Sequence, residues 1–264
     1  MSYHHEKVIN AYKAKMQWWT AQCSKNRCLK CWLRCHDCYC NTLTHIRNQY
    51  ESIAGLKEKI KVSIFYHFKE IGRGPNTAHI FPALFPEISQ EIVFGDDASE
   101  DNLITDIHYS LEDTCILYPS QDAISLDDWM EQRQISRKVH LILLDGTYPC
   151  ASRLVRVMKN RALSRGINLP LVKLNLENGA CKSAIAGVMY QPSKEKLCSL
   201  QALTRAIKEL KLDDSLEVIL PEVLFDWMAH ILSRKIKSGK SKPRLSSIEV
   251  DHNMTENLKA IVVA

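Results

Sequence analysis

The residues best suited to chemistry stand where an apolar run stops. Leu141 to Leu144 is followed by Asp145, Gly146, Thr147 and Tyr148, and Pro149 then suits the first turn of a helix. The order is strand, tight turn, helix. In open α/β sheets, ligands gather at the carboxyl ends of strands, so a carboxylate at such an end is a candidate base or anchor. Asp and Thr also serve as turn formers and helix caps, and both roles stay open on this stretch alone.

Sulfur is concentrated elsewhere. Five of the ten cysteines fall between Cys28 and Cys40. Cys28 and Cys31 form a CxxC pair, and Cys38 and Cys40 a CxC pair, with six residues between them. Four thiolates at that spacing suit a tetrahedral zinc ion in a closed structural site. Cys23, Cys35 and His36 compete as ligands, and an iron–sulfur cluster would use a similar four-thiolate set. The loop from Arg27 to Asn41 has little periodicity of its own, so a metal would supply its folding energy.

A third group follows the apolar run that ends at Tyr66. His67 and Glu70 lie at its exit, and Asn76 and Thr77 follow a loop marked by Gly72, Gly74 and Pro75. Such side chains are commonly satisfied by nearby backbone; the functional alternative is one active-site loop. From Cys150 to Arg165 there are five basic residues, Arg153, Arg156, Lys159, Arg161 and Arg165, and no acidic one. That face is either simply solvated or a phosphate-contacting surface, and the missing acids favour the second. Lys235, Lys237, Lys240, Lys242 and Arg244 form another acid-free run, read as a basic arm.

Elements must hold these groups. Strands are expected at Lys61–Tyr66, Glu91–Phe94, Thr114–Tyr118, Leu141–Leu144 and Leu171–Leu174. Helices are expected over 4–20, around Ile80 and Leu84, after a capping box at Ser125–Asp128, and from Pro149. Two more are expected over 199–212, with Ser199 as N-cap, and over 222–236, with Pro221 in or just before the first turn. The acidic stretch Gly95–Asp106 reads as an exposed loop. The alternation implies an α/β fold with a mostly parallel sheet. A division follows: an N-terminal helix over 1–26, a cysteine-rich loop over 27–41, an α/β domain over 42–233 and a basic tail over 234–264.

Composition sets outer bounds. The chain has 264 residues, 45% hydrophobic and 25% charged, which is the balance of a globular protein with a sizeable core. A net charge of +5 is compatible with nucleic acid. No apolar run reaches the length of a membrane span, and Lys7, Lys13, Lys15 and Gln17 break any signal-peptide core. The expected setting is therefore intracellular, cytoplasmic or nuclear, with no membrane. No Gly-rich phosphate loop is present, which argues against a nucleotide-phosphate enzyme. S-adenosylmethionine has no phosphate and needs no such loop.

Six segments, in order over residues 27–210, resemble the DTW-domain family. They are the CxxC and CxC pairs, HFKEIGRGPNTAHI from His67, Leu117-Tyr118-Pro119, Leu144-Asp145-Gly146-Thr147-Tyr148, the Leu169-Pro170 strand, and LCSLQA from Leu197. The resemblance implies a SPOUT-like fold in which a knotted C-terminal part of the sheet builds a cofactor pocket. It implies transfer of the 3-amino-3-carboxypropyl group of S-adenosylmethionine to N3 of a uridine in tRNA. Asp145 would be base or orienting acceptor, acting with Thr147 and Tyr148. Leu117, Tyr118, Pro119, Leu144, Gly146, Leu197 and Ser199 would wall the cofactor. Arg153, Arg156, Lys159, Arg161, Lys235 and Lys237 would hold RNA phosphates, and His67, Glu70, Asn76 and Thr77 would form an active-site loop. Cys28, Cys31, Cys38 and Cys40 would hold structural zinc. Tyr148 stands where the family has Trp, Ser199 replaces Thr, and Gln201 replaces Glu. No Arg occurs near Met189, and Cys35 replaces a common Pro. The competing readings are an RNA-binding relative without chemistry and a methyltransferase using the same donor.

Overall fold

The computed structural model describes residues 3–48, 55–74, 76–110, 112–133, 137–175, 197–212 and 214–237. In chain order the helices are α1 (Tyr3–Asn26), α2 (Cys40–Asn48), α3 (Leu56–Lys59), α4 (Ile80–Leu84), α5 (Asp97–Tyr109), α6 (Leu126–Gln132), α7 (Tyr148–Leu163), α8 (Ser199–Glu209) and α9 (Asp214–Lys237). The strands are β1 (Ile60–Tyr66), β2 (Ser89–Val93), β3 (Asp113–Leu117), β4 (Ile124–Ser125), β5 (Val139–Asp145) and β6 (Leu171–Lys173).

Every residue of β5 is buried, and β1 is nearly so. Strands buried on both faces carry continuous apolar runs, and parallel sheets covered by crossover helices are where such strands occur. The six strands run in the order β2-β1-β5-β3-β6-β4, and every pair is parallel. Alternate residues feed two cores. Ile64, Tyr66, Leu117, Leu141 and Leu143 pack with α2, α4, α8, α9 and the cysteine loop. Phe65, Ile116, Ile142 and Leu144 pack with α5, α7 and Val8 of α1. The register sets Tyr66 beside Asp145 and Leu117 beside both Leu143 and Val172. The carboxyl ends of β1, β3, β5 and β6 therefore share one edge.

Three expectations need correction. Gly95–Asp106 is not a loop. Asp97–Tyr109 is helical, capped by Asp96 accepting from Ser99 N at 3.5 Å, with Leu103, Ile104 and Ile107 buried. Its polar first turn hid a helix, although acidic residues are favoured at that end. The last helix begins at Asp214, so Pro221 lies inside it. Leu216, Ile219, Leu220 and Val223 continue one buried face across the proline, and their burial offsets the missing backbone hydrogen bond. The N-cap of α8 is Cys198, while Ser199 turns its hydroxyl elsewhere. The sequence pattern also passed over β4, which is only two residues long. Met189, and the segment 176–196 on which a knot would depend, lie outside the described residues, as do Lys240, Lys242 and Arg244.

Candidate active site and metal centre

Asp145 ends β5 and is only 6% exposed. Ser199 Oγ donates to its Oδ1 at 2.7 Å, and Asn76 Nδ2 donates to its Oδ2 at 2.5 Å. The Asn76 amide is held the right way round because its Oδ1 accepts from His79 N at 3.0 Å. Burial pushes the Asp145 carboxyl up, and the hydrogen bonds from Ser199 and Asn76 pull part of that back, leaving it at about 6. Such a group is mostly ionised at neutral pH and still takes a proton readily, which suits general base work.

The turn after Asp145 is tight for a reason visible in its neighbours. A Cβ on Gly146 would stand 3.1 Å from Cys150 Cβ and 3.3 Å from His67 Cβ. His67 N donates to the Asp145 carbonyl at 2.9 Å, which ties the first loop to this turn. The His67 ring is held neutral: burial first, then Lys69 and Arg153, lower its pKa to about 4. Thr147 starts α7 without a side-chain cap hydrogen bond, and its carbonyl accepts from Ala151 N at 2.8 Å. Tyr148 is 38% exposed, and burial and the nearby Tyr118 raise its hydroxyl. Glu70 is buried and takes both bonds from Arg73, at 2.8 and 2.9 Å, while its charge also raises Asp145. Thr77 hydrogen-bonds the Cys198 thiol.

Residues far apart in sequence are thus brought together: Asp145, Asn76 and Ser199 touch, Glu70 is close, and Thr77 reaches the residue before Ser199. Leu117 ends β3 beside them, with Tyr118 and Pro119 following. Leu144 differs, because its side chain is in the core on the α5–α7 face. Sequence reasoning passed over His79 and Arg73. Arg73 had a signal, since it stands three residues after Glu70 in a loop.

The four expected thiolates form one cluster. The Sγ atoms of Cys28, Cys31, Cys38 and Cys40 lie within 4.8 Å of one another. Cys28–Cys40 and Cys31–Cys38 are 3.6 and 3.7 Å apart. Tetrahedral zinc with sulfur ligands at about 2.3 Å requires sulfur edges of about 3.8 Å, so the set fits the ion. Burial raises the Cys28 thiol, but backbone N–H groups of Cys31 and Lys30, with Cys40 and Cys38, outweigh it and bring it to about 7. Burial raises Cys31 to about 11 and raises Cys40 further. Cys35 is exposed, and Cys23, Cys35 and His36 are not in the cluster.

The basic face is less uniform than the sequence implied. Arg161, expected from the sequence to hold phosphate, is paired within the fold. Its guanidinium pairs with Asp97, with Glu100 at 2.9 Å and with Asp101 at 2.8 Å. These acids come from α5, invisible to a reading of α7 alone, and they take its charge away from phosphates. Arg161→Ala should lower stability by about 3 kcal/mol, because Glu100 is left buried without its cation. Chemical denaturation measures this; unchanged RNA affinity in the same variant supports a purely structural Arg161. Arg156 and Lys159 line a cleft of about 440 Å³ with Tyr118, Asp122 and Asn160. Lys159 Nζ lies 3.8 Å from Asp122, and Arg153 lies over the Phe94 ring at 5.1 Å. Lys235 and Lys237 fall on the last turn of α9, and their side chains lie outside the described residues. Lys15 Nζ sits 3.7 Å over the half-exposed Trp18 ring, near Arg27 and Arg73.

No helix among the described residues is long and apolar enough to cross a membrane. Neither the curated proteins nor the solved structures contain a match to this chain. The family model of the DTW domain matches residues 25–254, a span that runs from the cysteine cluster through the Asp145 edge to beyond α9. The chain therefore belongs to the DTW-domain family, whose role lies in tRNA modification.

Proposed function

We propose that the protein transfers the 3-amino-3-carboxypropyl group of S-adenosylmethionine to N3 of a tRNA uridine. The observation that carries this reading is Asp145, a buried carboxyl near 6, held by two donors at the carboxyl edge of a parallel sheet. The donor set suits the cofactor: one buried carboxylate, two tyrosines, the backbone of two strand-end turns and the start of α8 would meet a molecule with a sulfonium, an adenine and no phosphate. Leu117 to Pro119, Gly146 and Leu197 to Ser199 would hold it. Bound there, S-adenosylmethionine supplies an activated γ-carbon and methylthioadenosine as leaving group.

The chain's own work is positioning and proton removal. Asp145 accepts the uracil N3 proton, and its bonds from Ser199 and Asn76 hold the carboxylate still as it does so. Neutral His67 closes the turn without adding a competing cation. Tyr148, on the open side with Tyr118 near it, offers a face on which a base stacks once it leaves the RNA helix. Arg153, Arg156 and Lys159 supply phosphate contacts, so binding weakens as salt rises. The cysteine centre lies in its own loop and is assigned a structural zinc.

Incubation with unmodified tRNA and S-adenosylmethionine, followed by nucleoside mass spectrometry, tests the reading. The expected product is 3-(3-amino-3-carboxypropyl)uridine. A methylated uridine would replace the reading with methyl transfer, and RNA binding with no product would leave an inactive RNA-binding relative.

A further inference from the structure

We infer that His79 is a positioning residue for Asp145, and that it carries the shape of the cysteine loop to that carboxylate. The inference rests on the transferase reading of Asp145.

The His79 ring is buried and held on three sides. One face stacks on Trp32, with centroids 3.7 Å apart and planes 16° from parallel. Its Nε2 meets the Lys30 carbonyl, and its Nδ1 meets Glu91 Oε1 at 2.7 Å. A carbonyl only accepts, so Nε2 carries a hydrogen. Lys30 and Trp32 flank Cys31, so two of the three restraints come from the CxxC turn itself. That turn is defined by Cys28 N donating to the Leu33 carbonyl at 2.8 Å and Trp32 N to the Cys28 carbonyl at 3.0 Å. Trp32 adopts a left-handed φ of 60° there, which a bulky residue keeps only when its surroundings enforce it. The third restraint comes from β2.

The other end of His79 points at the active site. Its backbone N–H is the group that fixes the Asn76 amide, and Asn76 Nδ2 then meets Asp145. A contiguous path runs from Cys31 through Lys30, Trp32, His79 and Asn76 to Asp145. If His79 shifts, Asn76 is free to turn its amide oxygen toward the carboxylate, setting acceptor against acceptor. The charged and titratable groups around Asp145 are Glu70 and its partner Arg73 from the first loop, Tyr66 from β1, and His79. Loss of the Asn76 donor raises the carboxyl further, because that hydrogen bond favours the ionised form.

The test uses metal-loaded, full-length His79→Ala and His79→Phe. The Asp145 carboxyl carbon is titrated by NMR in selectively labelled protein and assigned with Asp145→Asn. Metal content and the pH profile of transfer are measured alongside. Expected are retention of one metal equivalent, a titration midpoint moved to higher pH, and kcat down by about tenfold or more with KM for the donor little changed. His79→Phe keeps the volume and the stack and shifts the midpoint the same way if the alanine variant does not fold. An unmoved Asp145 midpoint in a folded His79 variant overturns the inference, as does activity that falls only with the folded fraction. If the unmodified protein transfers nothing, the transferase reading fails, and the NMR titration still decides the role of His79.

Discussion

Asp145→Asn should give a protein that transfers nothing and is more stable than the parent at pH 8. The two effects share one cause. Asp145 is isolated from water, and its carboxyl stands at about 6 against an ordinary 3.8. The folded protein therefore holds this proton more tightly than the unfolded chain. The stabilisation is complete below about pH 4 and is lost as pH rises through 6. Above that, the buried charge costs the fold up to about 3 kcal/mol, the free-energy equivalent of the shift. Asparagine has nearly the same shape. It offers an oxygen to Asn76 and a nitrogen to Ser199 without the charge. Melting curves should place the variant several degrees above the parent at pH 8, with the gap closing toward pH 4. Transfer should be undetectable at every pH, because an amide accepts no proton from N3. Full activity in Asp145→Asn would remove the residue from proton transfer and leave it an anchor.

That site was only partly legible from residue order. The strand, turn and helix around Asp145 follow from the apolar run Leu141–Leu144, a glycine and a proline, because burial on both faces makes the middle of the strand continuously apolar. The partners of Asp145 could not be read in the same way. Asn76 and Ser199 are 69 and 54 residues away and meet it only because strand order puts β1 beside β5 and α8 packs on β5. Ser199 illustrates the ambiguity. A serine at a helix start reads as a cap, but the backbone of Cys198 takes that position and frees the hydroxyl for a carboxylate. Arg161 shows the opposite failure, where one arginine counted into a patch along α7 is paired by acids of α5. A third case is a triad look-alike. Ser63 Oγ lies 2.7 Å from His140 Nε2, with Glu112 3.6 Å from the other ring nitrogen. Ser63 and His140 are fully buried between strands, and burial, aided by Lys61 and Lys138, lowers the His140 pKa to about 3. It joins β1 to β5, away from the carboxyl edge, as a polar brace.

Removal of the metal should have the largest effect on the fold. The loop from Arg27 to Asn41 has one antiparallel bridge and a few turns of its own, so a bound ion would supply much of what gathers its four thiols. Structural zinc contributes on the order of 10 kcal/mol in small domains, more than the net stability of many proteins. The loop is also not peripheral here. Trp32, Leu33 and Tyr39 belong to the main core, Tyr39 packs edge-on against Trp227 at 5.1 Å, and Asp37 accepts from His230 and Arg234 of α9 at 2.9 and 2.8 Å. Loss of the ion therefore loosens α2 and α9 as well as the loop. Calorimetry in the presence of a strong chelator should show a melting temperature lowered by ten degrees or more, or a broad transition in two steps. Elemental analysis of the untreated protein should find about one zinc per chain. Cys28→Ser should reproduce the chelator effect, because it removes one ligand from the cluster. Cys35→Ser should change neither metal content nor melting, because its thiol is exposed and stands outside the four. Equal losses in the two variants would mean that sulfur at this loop is needed for packing rather than for a metal. A folded, metal-free protein with an unchanged melting temperature would refute the zinc assignment outright.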